Sequence, residues 1–148
     1  MFTKHYDLTI NTANGSDTIM LRLPFLAQSN LCKKYKTGTV QLLLDAATDN
    51  DVLVDVLTNS LMWKGNSNTV KDGAELVELL IDNGVITDDV SRAKLMLNIA
   101  EASGIVSAEK RDTIIKAITK RESDTLNSIL EEDTDTETET EGEADSKN

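Results

Sequence analysis

Tyr6, Leu8 and Ile10 alternate with Asp7, Thr9 and Asn11, the two-residue period of a half-buried strand. A second β-like run, Thr18 to Leu23, follows, and Pro24 ends it because proline cannot donate to a ladder. Between them stands Asn14-Gly15, a pair that tolerates the positive φ angles of a tight turn. The pattern predicts a β-hairpin over about residues 6–23. Two strands alone are marginal in water, so the hairpin must lie on helices or pair with another chain.

From Phe25 onward the period becomes helical. Phe25, Leu26, Ser29, Cys32 and Tyr35 are expected to line one face of a short helix ending before Thr37-Gly38. Thr39 is expected to cap the next segment, VQLLLDAA, and Asp49 or Asp51 the one after, DVLVDVLTNSLMW. In that third helix Val52, Val56, Leu57 and Ser60 or Leu61 recur at helical spacing. Thr69 is the expected cap of a fourth helix, with Val70, Ala74, Val77, Leu80 and Ile81 on one stripe and Gly73 as an internal weakness.

Two turns repeat one device: Gly84-Val85-Ile86-Thr87-Asp88-Asp89 is echoed by Gly104-Ile105-Val106-Ser107-Ala108-Glu109. In each, Gly supplies a left-handed residue after a helix, an apolar residue covers that end, and Ser or Thr caps the next helix. This predicts helix ends at Asn83 and Ser103 and new starts near Asp88 and Ala108. The helix between them packs with Val90, Leu95 or Leu97, and Ile99. The last helix runs from Ala108 to Leu130 on Ile114, Ile115, Ile118, Leu126 and Ile129, and turns polar beyond Arg121. The fold class is therefore mainly α, an N-terminal β-hairpin followed by a compact bundle of five or six helices. Residues 1–130 form one domain and 131–148 a disordered acidic tail.

Charge sharpens that division. Of the net −11, residues 131–148 carry nine acids and one base, whereas residues 1–130 carry 17 acids and 14 bases. A segment of alternating Thr and Glu has no apolar side chain to offset the entropy of ordering. Two readings of the tail stand side by side: a solubility aid acting through net charge, at short range because salt screens it, or a tolerated solvated terminus. Neither part offers a basic footprint for a phosphate backbone, so nucleic acid is not an expected ligand. No unbroken apolar run approaches the roughly 20 residues of a membrane-spanning helix. The first twelve residues hold no apolar stretch of signal-peptide length, and Cys32 is the sole cysteine. A cytoplasmic protein without intrachain disulfides is expected.

Site chemistry is sparse. His5 is the only histidine and lies in a polar strand start, where a surface role is expected. Cys32 reads as a small buried hydrophobe beside Lys33 and Lys34. Asp45, Asp49, Asp51 and Asp55 gather in DAATDNDVLVD, but the glycine and terminal glutamate of a calcium loop are missing and helix capping accounts for Asp49 and Asp51. With no phosphate-cradling loop, nucleophile elbow or metal-spaced ligand pair, the expectation is no catalytic residue, no metal, no cofactor and no enzyme. What remains is apolar surface. Leu61, Met62 and Trp63 are the candidate partner-binding residues, and the competing expectation is that Trp63 closes the core.

The layout of YDLTIN and TIMLRLPF, then DVLVDVLTNSLMWKG, then NTVKDGAELVELLIDNG, resembles the tail assembly chaperones of long-tailed bacteriophages over about residues 6–84. The resemblance implies a non-enzymatic protein that coats the tape measure protein and keeps it soluble until tail tube subunits polymerise around it. It implies residence in the cytoplasm of the infected bacterium and absence from the mature virion. Tail tube subunits and further copies of the chain are additional partners that it admits. Two other classes compete: a structural tail or virion subunit, which needs more strand than one hairpin, and a small acidic regulator, which needs its acids held in a fixed array.

Overall fold

A computed structural model of the chain describes residues 4–63 and 70–138, with side chains described up to Ile129. It packs as two units, one up to Ile115 and one from Lys116 onward, so the division falls inside the last helix, earlier than residue 130. Among the described residues the architecture is mainly α: a two-stranded antiparallel hairpin followed by six helices.

The hairpin comprises β1 (Tyr6–Thr12) and β2 (Gly15–Leu21), in a register that pairs Leu8 with Ile19 and Thr12 with Gly15. Leu8, Ile10, Ile19 and Leu21 are buried, as their alternation requires. The turn differs from expectation, since Gly15 alone takes a positive φ, 109°, and Asn14 does not. One left-handed glycine after the bend suffices to return the chain, as in hairpins that end in a glycine bulge. The hairpin lies on helices rather than standing alone: β2 packs on α3 (Asn50–Leu61), and β1 on α4 (Gly73–Asp82) and α5 (Asp89–Ala102).

The first helix, α1 (Phe25–Tyr35), follows Pro24 directly and ends on Lys36, which is left-handed at φ 56°. Its inward face is not the expected one. Leu31 is buried with Ala27, Cys32 and Tyr35 packed beside it, whereas Phe25 and Leu26 face outward. The spacing explains this, because Ala27, Leu31 and Tyr35 stand four residues apart and leave Leu26 opposite. The next helix, α2 (Thr39–Asp45), has Gly38 at its N-cap with no side-chain cap, so Thr39 does not cap it. The Thr39 hydroxyl instead lies 3.6 Å from Cys32 Sγ. The other end of α2 is closed by Arg92, whose guanidinium donates to Ala46 O at 2.9 and 3.3 Å.

Asp49 caps α3, accepting from Asp51 N at 2.9 Å and Val52 N at 3.3 Å. Val52, Leu53, Val56, Leu57, Ser60 and Leu61 form its buried face. The α4 helix starts later than predicted. Asp72 is its N-cap and Gly73 its first residue, while Thr69 lies outside the described residues. The buried face is Gly73, Leu76 and Leu80, whereas Ala74 and Ile81 are exposed. Gly73 is therefore no internal weakness but the point of closest approach between two helices. A Cβ there would lie 2.3 Å from Val54 O and 2.8 Å from Thr58 N, and Gly73 N donates to Thr58 Oγ1 at 2.8 Å.

Both glycine turns form as the sequence predicts. Helix α4 ends with Asn83 at its C-cap; Gly84 (φ 74°) donates to Ile81 O and Val85 to Leu80 O. Helix α5 ends with Ser103 at its C-cap; Gly104 (φ 78°) donates to Glu101 O and Ile105 to Ala100 O. The paired bonds satisfy the carbonyls a helix leaves open at its end. The N-cap of α5 is Asp88 rather than Thr87, because Asp88 and Ser91 exchange a complete capping box. The N-terminal cap of the last helix, α6 (Ala108–Thr138), is Ser107, whose Oγ accepts from Lys110 N at 3.1 Å.

Both Leu95 and Leu97 are buried, as are Ala93, Met96, Ile99, Ala100 and Ala102, so α5 is covered on more than one face. In α6, Ile114, Ile115 and Ile118 are half-buried, but Leu126 and Ile129 are exposed and contribute nothing to a core. The helix continues past Leu130 to Thr138; residues 139–148 lie outside the described residues. No Gly or Pro interrupts the chain between Gly104 and Gly142, and extending an existing helix fixes few new torsions per bond gained.

Candidate partner-binding surface

Leu61, Met62 and Trp63 end α3 but do not share an exposed patch. Leu61 is 7% exposed and Trp63 8%, whereas Met62 is 73% exposed. Of the three, only Met62 is exposed in this fold, while Leu61 and Trp63 are buried. The reason lies in the hairpin. Trp63 Nε1 donates to Met20 O at 2.9 Å, its indole stacks on His5 with ring centroids 5.3 Å apart, and Arg22 N donates to Ser60 O at 3.2 Å. The end of α3 thus seals the outer edge of β2, which would otherwise present open backbone groups. His5 is half-buried by this contact, with Nδ1 2.6 Å from Asp7 Oδ1, and is no plain surface residue.

Exposed apolar surface lies on the first turn of α1 instead. Phe25 is 82% exposed and Leu26 70%. Leu26 and Met62 face one shallow groove with Pro24, Ala27, Asn30 and Asn59. Phe25 borders a second groove, whose other wall carries Cys32, Lys33 and Lys36. The sequence held the signal in Ala27, Leu31 and Tyr35, three positions four residues apart that define the inner face of α1 and exclude Leu26.

A polar cluster joins the C-terminal end of α1 to α3. Lys34 Nζ lies 2.7 Å from Asp55 Oδ2, and the Tyr35 hydroxyl donates to the same oxygen. Partial burial opposes ionisation of Asp55, but the hydrogen bonds from Lys34 and Tyr35 outweigh it and hold the carboxyl below its usual value. The same bonds raise Lys34, and they raise Tyr35 together with its own burial. Because the folded-state value of Asp55 is depressed, its contribution is fully present above the ordinary 3.8 and is lost as pH falls through the lower folded value. The denaturation midpoint of wild type is accordingly expected to exceed that of Asp55→Asn at neutral pH. The gap should close progressively below pH 3.8 in an acid titration followed by circular dichroism.

The four aspartates of DAATDNDVLVD do separate work. Asp49 caps α3, Asp51 sits in its first turn, Asp55 binds α1, and Asp45 accepts from Gln41 Nε2 at 2.8 Å. Among the described residues no three His, Cys, Asp or Glu side chains converge on one point, and no helix is long and apolar enough to cross a membrane. Comparison of the chain with protein-family models, with curated proteins and with solved structures yields no match.

Proposed function

We propose that this chain is a non-catalytic chaperone that shields a long, apolar, helical client, in the manner of the tail assembly chaperones it resembles. The client on this reading is the tape measure protein of a long-tailed phage, held in the cytoplasm of the infected bacterium until tail tube subunits take it over. The observation that carries the proposal is the exposure of Phe25, Leu26 and Met62 on a bundle whose other large apolar groups are mostly buried. Grouped large side chains left in water are favourable only if something else covers them. An amphipathic helix presents apolar anchors three and four residues apart, a spacing suited to the grooves on either side of the α1 turn. The hairpin followed by helices is also the layout the resemblance implies.

Co-expression tests this. With the wild-type chain, a candidate tape measure protein is expected to move into the soluble fraction and co-purify. The double variant Leu26→Asp/Met62→Asp should keep its thermal melt, since both positions are exposed, and lose most of the client. A wild-type chain that leaves the client insoluble, or a variant that rescues it equally well, would remove the proposal.

A further inference from the structure

Every position from 119 to 129 of α6 is exposed, including Leu126 and Ile129. A helix without a buried face is marginal in water, since packing of one stripe supplies most helical stability. The sequence nevertheless carries such a stripe. Ile115, Ile118, Glu122, Thr125 and Ile129 follow one another at alternating intervals of three and four residues, with Leu126 on its flank. This is the spacing of a seam between two helices.

Charge along the helix selects the partner. Residues 110–121 hold five bases and one acid, whereas residues 122–138 hold seven acids and no base. A parallel pair of such helices sets like charge against like; an antiparallel pair sets basic half against acidic half at both ends. We infer that α6 pairs antiparallel with α6 of a second copy of this chain. One register brings Ile118 to Ile129 and opposes the charges, leaving Ile115 across from Glu132. Ile118 then faces Ile129 of the second copy, and Glu122 faces its Thr125. The symmetry of the pair repeats each contact once. In this register the two Glu122 carboxylates do not meet, and residues 110–121 lie along the acidic half of the other helix. The charge pattern is complementary to itself, which points to a second copy of this chain. The inference holds or fails independently of the chaperone reading.

Sedimentation of the full chain tests it at about 100 μM, since a seam this short belongs to the weak end of protein interfaces. The expected result is a dimer that weakens as salt rises from about 0.05 to about 0.5 M, because screening removes an attraction. Ile129→Asp should abolish the dimer without altering the thermal melt of the bundle. Glu122→Ile should tighten the dimer roughly tenfold by filling a polar layer of the seam. A monomer under these conditions, a dimer strengthened by salt, an Ile129→Asp variant that still pairs, or a Glu122→Ile variant that pairs no better would each overturn the inference.

Discussion

Trp63→Ala is expected to lower the unfolding free energy by about 3–5 kcal/mol, the range for losing a large buried aromatic. The side chain is only 8% exposed, so nearly all its apolar surface is withdrawn from water. Its replacement opens a gap between the end of α3 and the hairpin, removes the donor to Met20 O, and strips His5 of its stacking partner. Trp63→Phe separates these terms. A ring remains to fill the space and stack, while the lost N–H costs about 1 kcal/mol. The midpoint of urea denaturation, followed by circular dichroism, reads both values. A loss below about 1 kcal/mol for Trp63→Ala would mean that the indole does not hold the bundle together. Met62→Ala, one residue earlier and 73% exposed, should by contrast change stability little.

Gly73→Ala is expected to destabilise by about 2–3 kcal/mol, the usual cost of forcing extra volume into a packed site. Helix propensity alone predicts the opposite sign, a gain of about 1 kcal/mol from replacing glycine by alanine. Geometry decides. The new methyl would stand 2.3 Å from Val54 O and 2.8 Å from Thr58 N, both backbone atoms of α3 that no rotamer change can move aside. The two helices must separate, which also pulls Gly73 N from the Thr58 hydroxyl that itself donates to Val54 O at 2.7 Å. Ala74→Gly, at the exposed neighbouring position, gives the propensity term by itself and should cost about 1 kcal/mol. An unchanged or raised denaturation midpoint for Gly73→Ala would show that α3 and α4 do not approach so closely.

Local chemistry made much of the fold legible. Asn83 and Ser103 close their helices where the glycine turns place them, because the left-handed residue, the two capping bonds and the covering apolar side chain all lie within one short stretch. The inward faces of the hairpin and of α3 followed from periods of two and 3.6 residues. The candidate surface was less legible. Phe25 and Leu26 have the composition of core residues, and Leu61 and Trp63 that of an apolar chain end open to a partner. The indole of Trp63 was placed by a contact remote in sequence. Met20, 43 residues from Trp63, decides the fate of the indole.

The sequence by itself determined where the glycine turns end α4 and α5, which strand face is apolar, and how charge divides α6, since these depend on neighbours a few residues apart. Only the tertiary structure decided that Trp63 seals the hairpin, that Gly73 is a point of contact, and that Phe25, Leu26 and Met62 remain in water. Burial is a property of what arrives from elsewhere in the chain, and a helical period fixes which residues share a face without fixing which face is covered.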